Sequence, residues 1–163
     1  MKIAILSDTH DNVEALARAL PALEAADAVL HCGDVCSPFT LKRLAEGAPD
    51  KPVHLVWGNN DGDRRMLAEI AARAGNVILH GEFADFTVGG LRVAMSHYPA
   101  VARAVAASGQ YDLVCYGHDH QAHEERLGAA LLLNPGELAG VLTGRATWVL
   151  LDTDTGTTAW QTV

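Results

Sequence analysis

Basic residues are scarce in this chain of 163 residues: 12 Lys and Arg stand against 20 Asp and Glu, a formal charge of −8 with eight histidines counted as neutral. A general nucleic-acid coat neutralises many phosphates with clustered cations, so a pI near 5.3 disfavours that role and leaves only local basic patches open. Cysteine is also scarce. Cys32, Cys36 and Cys115 are an odd set, and Cys32 and Cys36 lack the second pair that a Cys-rich zinc site requires, so buried, reduced thiols are expected. No apolar run approaches the roughly 18–20 residues that span a bilayer. The opening run from Met1 breaks at Asp8, too short for a secretory signal core, and a soluble cytoplasmic protein with no membrane partner is expected. The chain has no Walker sequence, no Rossmann glycine fingerprint and no Gly-x-Ser-x-Gly elbow. Asp152-Thr153-Asp154-Thr155-Gly156 places its glycine one position early for a calcium loop and reads as a hairpin turn.

What is present is enough apolar material for a core, with 49% hydrophobic and 20% charged residues, at a length that fits one domain over residues 1–163. Lys2 to Ser7 reads as a strand, followed by Val13, Leu16, Leu20 and Leu23 at helical spacing behind an Asp11-x-x-Glu14 capping box, with Pro21 expected to kink or split the helix. Strands at 28–32 and 53–57 alternate with helices at 39–45 and from Met66 to Gly75, which predicts βαβ units and a parallel sheet with right-handed crossovers. The second half carries short strands at 77–79, 83–88, 91–96, 112–116, 122–126, 130–133, 146–151 and 157–161, with one helix near 100–107. No linker or repeat divides the chain, so two packed sheets in one domain are expected.

The polar residues gather directly after predicted strands: Asp8-Thr9-His10, Gly33-Asp34, Gly58-Asn59-Asn60-Asp61, Ser96-His97 and Gly117-His118-Asp119-His120. Ligands of open α/β sheets bind beyond the carboxyl ends of the strands, so these five loops can build one site. Asp8 with His10, and His118 with His120, are two apart, a spacing that turns both side chains to one face of extended backbone. Gly33, Gly58 and Gly117 allow sharp turns beside a buried ligand. Asp8, His10, Asp34, Asn59, His97, His118 and His120 together exceed the protein ligand set of one ion, whereas two ions about 3.5–4 Å apart sharing a carboxylate would absorb them. Mixed N and O donors without thiolate suit Mn, Fe, Zn, Ni or Co, and do not choose among them.

In order along the chain, Asp8-x-His10, Gly33-Asp34, Gly58-Asn59-x-Asp61, Ser96-His97 and Gly117-His118-x-His120 resemble the motifs of calcineurin-like metallophosphoesterases, in particular their small prokaryotic phosphodiesterase branch. Asn134-Pro135-Gly136 is similar to a turn in that branch. The resemblance implies a two-sheet sandwich flanked by helices in αββα layers and two divalent ions, Mn foremost. It implies that Asp8, His10, Asp34 and His120 hold one ion and that Asp34, Asn59, His97 and His118 hold the other, with Asp34 bridging. Asp34, Asn59 and His97 are then the metal-linked catalytic residues, and a hydroxide between the ions attacks phosphorus in line. The substrate implied is a small phosphodiester, and dimers or higher oligomers are implied as well.

Two departures qualify the resemblance. Asn60 stands where many relatives carry the histidine thought to protonate the leaving oxygen, and an amide is not a general acid; such help is commonly worth about 10²–10⁴ in rate. Asp119 stands where relatives often carry Thr, and it could orient a ligand histidine, donate a proton or simply be solvated. Asn60 and Asp119 are thus the weak candidates for the acid. Arg64, near a helix start, and Asn12, beside the first motif, are candidates for substrate contact, with a solvated and a helix-start role as their respective alternatives. His31, His54, His80 and His123 read as packing or surface residues, His31 being the best placed to support the site. The rival functions are a phosphomonoesterase and a protein-binding scaffold of the same fold that has lost catalysis; none of the seven ligand positions is degraded here, which favours the enzyme.

Overall fold

The computed structural model describes all of residues 1–163. Strand β1 (Lys2–Leu6) shows how the layers arise, because its side chains alternate between two apolar environments. Ala4 and Leu6 join one buried cluster, with Leu16 and Leu23 of α1 (Val13–Leu23) and Leu41 and Leu44 of α2 (Pro38–Gly47). Ile3 and Ile5 face the other way, into a cluster with Val93 and Met95 of β6 (Leu91–Ser96) and Leu131 and Leu133 of β9 (Ala130–Pro135). A strand that is apolar on both faces must lie between a helical layer and a second sheet.

The first sheet has the order β11-β10-β1-β2-β3-β4. Strands β2 (Ala28–His31), β3 (Val53–Leu55) and β4 (Val77–Leu79) run parallel to β1, separated by α1, α2 and α3 (Arg64–Ala74) as the alternating pattern predicts. Strands β10 (Thr147–Asp152) and β11 (Thr157–Thr162) close the other side as an antiparallel hairpin at the expected turn. The second sheet has the order β5-β6-β7-β9-β8, with β5 (Phe83–Val88) and β8 (Ala122–Leu127) antiparallel at its edges and β6, β7 (Leu113–Cys115) and β9 parallel in its centre. Helix α4 (Pro99–Ala107) covers this sheet by setting Ala102 and Ala106 against Ala94, Val114 and Leu132. The layers are therefore αββα.

Local details depart from the sequence pattern. The capping box fails: Asn12, not Asp11, caps α1 by accepting from the Ala15 N–H at 3.0 Å. The Asp11 carboxylate accepts instead from Ser37 N–H and the Thr40 hydroxyl, fastening the first loop to α2. Helix α1 also runs unbroken through Pro21, which lies in its last turn. Cys32 and Cys115 are buried as expected, but Cys36 is only half-buried, its sulfur 3.6 Å from His10 Nδ1. No helix is long and apolar enough to cross a membrane.

Parallel strands place their carboxyl ends together, so β1, β2 and β3 deliver one set of loops while β6, β7 and β9 deliver another. The two sets meet over the inter-sheet layer, which Ile5 anchors between Val149 and Leu30 of its neighbouring strands. Ile5 is 0% exposed. Ile5→Ala should cost about 2–5 kcal/mol through lost transfer energy and the cavity left behind; urea unfolding of the two proteins measures it.

Candidate metal centre

The loops after these strands converge on two buried carboxylates, Asp8 and Asp34, which are 0% and 1% exposed. Asp8 accepts from the Ser7 hydroxyl at 2.6 Å and from His118 N–H at 3.1 Å, both through Oδ2. Its Oδ1 has no hydrogen-bond partner and faces His10 Nε2 and His120 Nε2, each at 3.6 Å. His10 Nε2 is likewise buried without a partner. Unsatisfied buried polar atoms cost about 1–3 kcal/mol each, so atoms turned towards one another in this way mark a position that suits a cation.

Asp34 lies between the two halves of the cluster. Its Oδ2 is 3.5 Å from His10 Nε2 and 3.4 Å from His97 Nε2. Around His97, the Asn59 amide oxygen lies 3.1 Å from His97 Nε2 and 2.8 Å from His118 Nδ1. Ligand atoms of Asp8, His10 and His120 form one compact group, and those of Asp8, Asp34 and His97 form a second. The donors are imidazole nitrogens, carboxylates and an amide oxygen, which fit a borderline divalent ion.

Neighbouring groups orient the imidazoles. His97 Nδ1 is 2.8 Å from the Cys32 carbonyl oxygen, which can only accept, so Nδ1 carries a proton and Nε2 presents its face to Asp34. His120 Nδ1 lies 2.8 Å from Glu137 Oε2, which directs its Nε2 to Asp8 in the same way. The neighbouring Asp8 carboxylate, with further support from Cys36 and Asp34, raises the pKa of His10 from 6.5 to about 10 in the metal-free chain. Burial pushes the Asp34 carboxyl up, but the neighbouring His97 imidazole and the hydrogen bonds from Asn60 outweigh it and hold Asp34 well below the usual carboxylate range. A field that favours a proton on one side and a carboxylate on the other also favours a dication between them.

Extended backbone would turn each two-residue ligand pair to one face, but the backbone at these pairs is not extended. Asp8, His10, His118 and His120 have φ of 52°, 42°, 77° and 61°, and Asp34 has 57°, all in the left-handed region. Non-glycine residues there cost roughly 1–2 kcal/mol each, so the loops are held by their anchors rather than by local preference. Asp8 N–H donates to Gly33 O and His10 N–H to Asp34 O, both at 3.0 Å. Of the three motif glycines only Gly33 needs its turn, with φ of 101°. Gly58 and Gly117 serve close approach: a Cβ at Gly58 would overlap the Asp34 carboxylate, and one at Gly117 would overlap Ser7 and the Asp8 carboxylate.

The remaining candidates are engaged within the protein. Asn60 donates its backbone N–H to Asp34 Oδ1 at 2.7 Å and its amide to Oδ2 at 2.8 Å. Asp119 accepts from Asn134 Nδ2 and Gln121 N–H, so it fastens the His118–His120 turn and touches neither imidazole. Arg64 pairs with Glu82 at 2.7 Å and donates to Gly58 O, and the Asn12 amide donates to Ala139 O at 2.7 Å. Asp61 accepts from the N–H groups of Asp34, Cys36 and Gly58, tying the second and third loops together. His31 is buried beneath the first loop, where its Nε2 meets the Thr9 hydroxyl at 2.8 Å and its Nδ1 accepts from Gly33 N–H at 3.3 Å.

Glu137 was not singled out in the sequence. It is 0% exposed, and it accepts from the N–H groups of Val141, Leu142 and Thr143 and from the Thr143 hydroxyl, besides meeting His120. Burial pushes its carboxyl up, yet the Thr143 N–H and His120 outweigh that and hold it below the usual glutamate range. The available signal was positional: like the other site residues, it follows a strand, β9, directly behind the Asn134-Pro135-Gly136 turn.

The family model for the calcineurin-like phosphoesterase superfamily domain matches residues 1–156. A phosphodiesterase of Methanocaldococcus jannaschii is 34% identical over 158 residues, covering 94% of each chain. A solved archaeal phosphodiesterase superposes with a TM-score of 0.92 at 33% identity over the whole of both chains. Vacuolar protein sorting 29 from Cryptosporidium parvum shares the fold with a TM-score of 0.70 at 18% identity, covering 99% of this chain and 96% of that one.

Two outcomes are expected. Burial holds His31 neutral by lowering its pKa from 6.5 to about 4. Below pH 6.5 the unfolded chain therefore takes up a proton that the folded chain refuses, so a contribution of about 3 kcal/mol is complete above pH 6.5 and lost as pH falls to about 4. In urea unfolding with chelator present, His31→Gln should flatten the decline between these limits; an undiminished slope would contradict the assignment. Glu137→Gln should weaken Mn binding by about 10–100-fold in titration calorimetry, because the orientation of His120 is loosened.

Proposed function

The chain belongs to the calcineurin-like phosphoesterase superfamily, and from that premise we propose that it is a dinuclear-metal-dependent phosphodiesterase acting on small phosphodiesters. The observation that carries the proposal is the position of Asp34 Oδ2, within 3.5 Å of His10 Nε2 and 3.4 Å of His97 Nε2, between the two halves of the ligand set. Asp8, His10, Asp34 and His120 would hold one ion, and Asp34, Asn59, His97 and His118 the other. Two divalent ions, Mn foremost with Ni, Fe, Zn and Co as alternatives, supply when bound an acidified water as nucleophile and Lewis acids for the phosphate oxygens.

The protein's own contribution is orientation. Asn60 fixes both Asp34 oxygens, Cys32 fixes the His97 ring and Glu137 fixes the His120 ring, so the ligand atoms need little reorganisation as charge develops on the phosphate. No proton donor for the leaving group stands among the sequence candidates: Asn60 cannot serve as one, and Asp119 is turned to Asn134 and Gln121. Esters with acidic leaving groups therefore suit this centre, and phosphomonoesters with poor ones do not. The scaffold alternative is disfavoured by the unsatisfied Asp8 and His10 atoms aimed at one point, for which a binding surface has no use.

Turnover of bis-p-nitrophenyl phosphate and p-nitrophenyl phosphate across Mn, Ni, Zn and Mg tests the proposal. The diester with Mn should be preferred, and Asp34→Asn should lower that activity by about 10²–10³-fold or more with a folded, cooperative unfolding transition retained, on the scale of removing a major electrostatic contributor. Preference for the monoester, or full activity of the variant, would refute it.

A further inference from the structure

The segment after Glu137 borders the centre on two sides. On one side Val141 and Leu142, 71% and 74% exposed, join His10, Asn60 and His120 around a cleft of about 360 Å³. On the other, Thr143 and Arg145 join His120, Gln121 and Thr147 around a cleft of about 300 Å³. His120 belongs to both. The segment is fixed where it passes the centre, because the buried Glu137 carboxylate accepts the N–H groups of residues 141, 142 and 143, and the Thr143 hydroxyl ties the backbone of Arg145.

Arg145 differs from the other arginine near the centre. Arg64 is paired with Glu82, and further away Arg65 and Arg73 share Glu69. The Arg145 guanidinium has no carboxylate partner, although the chain is acidic overall and Asp8, Asp34 and Glu137 lie around the centre it adjoins. Beside this polar cleft Arg145, free of any carboxylate, offers a planar fork suited to a carboxylate or a phosphate.

A phosphodiester whose phosphorus sits beside His120 must extend two arms. We propose that one arm lies against Val141 and Leu142, and that the other carries an anionic group, carboxylate or phosphate, which Arg145 binds in the polar cleft. The inference rests on the phosphodiesterase reading and narrows its substrates to asymmetric diesters with one anionic arm. Arg145 is then the residue that sets charge preference, with no part in the bond-breaking step.

The test compares two chromogenic diesters, carboxymethyl p-nitrophenyl phosphate with an anionic arm and p-nitrophenylphosphocholine with a cationic one. The ratio of their kcat/KM values is insensitive to a general loss of folded or active protein. The intact protein with Mn should favour the anionic arm by about tenfold or more, and Arg145→Gln should bring the ratio to about one, the scale of a partly exposed charge-assisted pair. Calorimetry supplies a readout without turnover: 2-phosphoglycolate should bind the Zn-loaded protein about tenfold more tightly than methyl phosphate, and Arg145→Gln should abolish the difference. A parallel comparison of glycerol 1,3-bisphosphate with glycerol 1-phosphate tells whether phosphate serves in place of carboxylate. Ratios left unchanged by Arg145→Gln overturn the inference while the diesterase reading stands. Failure to hydrolyse any diester, with Arg145-dependent binding of 2-phosphoglycolate intact, overturns the diesterase reading and leaves the anion site in place.

Discussion

Two carboxylates buried side by side set the terms for the rest of this structure. Asp8 and Asp34 are almost wholly out of solvent at the ends of β1 and β2. Burying an isolated carboxylate costs far more than a hydrogen bond returns, so each must be surrounded by donors or by cations. Ser7 and His118 N–H serve Asp8, and both hydrogen-bonding groups of Asn60 serve Asp34. What these donors leave over is directed at the imidazoles of His10, His97 and His120, from three different loops. The fold can be understood as the framework that makes this convergence sterically possible.

The backbone bears the consequences. Side chains this close can be brought together from separate strands only if the loops turn more sharply than extended or helical backbone allows, and five of the seven candidate ligands adopt left-handed conformations. The strain is offset by ladder-like contacts between loops, from Asp8 N–H to Gly33 O and from Gly117 N–H to His97 O. Asp61 does similar work with its side chain, gathering three N–H groups from two loops. Glycine at 58 and 117 then follows from space rather than from turn preference, since the carboxylates occupy the volume a Cβ would take.

This distinction explains what was legible in the sequence. Short apolar runs bounded by turn residues located strands such as Phe83–Val88 and Leu91–Ser96 to the residue, whereas the αββα layering was implied only by the family resemblance and is seen in the structure as β1 being apolar on both faces. The candidate ligands were legible because chemistry selects residue types and the strand ends gather them. The mode of their gathering was not, because a two-residue spacing is compatible with both extended and left-handed backbone, and only the long-range contacts decide. Glu137 escaped for a related reason: a single acidic residue after a turn has many ordinary uses, and its value arises from His120 and the 141–143 amides, which are distant in kind or conformation from any local pattern. Cys36 was grouped with buried thiols on composition, although the loop that carries it turns at φ 70° towards His10.

A formal charge of −8 predicts repulsion of any phosphate ester, yet the buried carboxylates of the centre are charge that attracts dications, and two of them would cancel half of that total. The buried carboxylates also have their hydrogen-bonding capacity largely consumed by protein donors, so their remaining field points inward to the ligand atoms rather than out to solvent. Glu137 shows the same economy, since its oxygens are spent on backbone amides, the Thr143 hydroxyl and His120, and are sealed from solvent. Acidity that is directed in this way assembles a cationic centre, whereas the same residues spread over the surface would only repel the substrate.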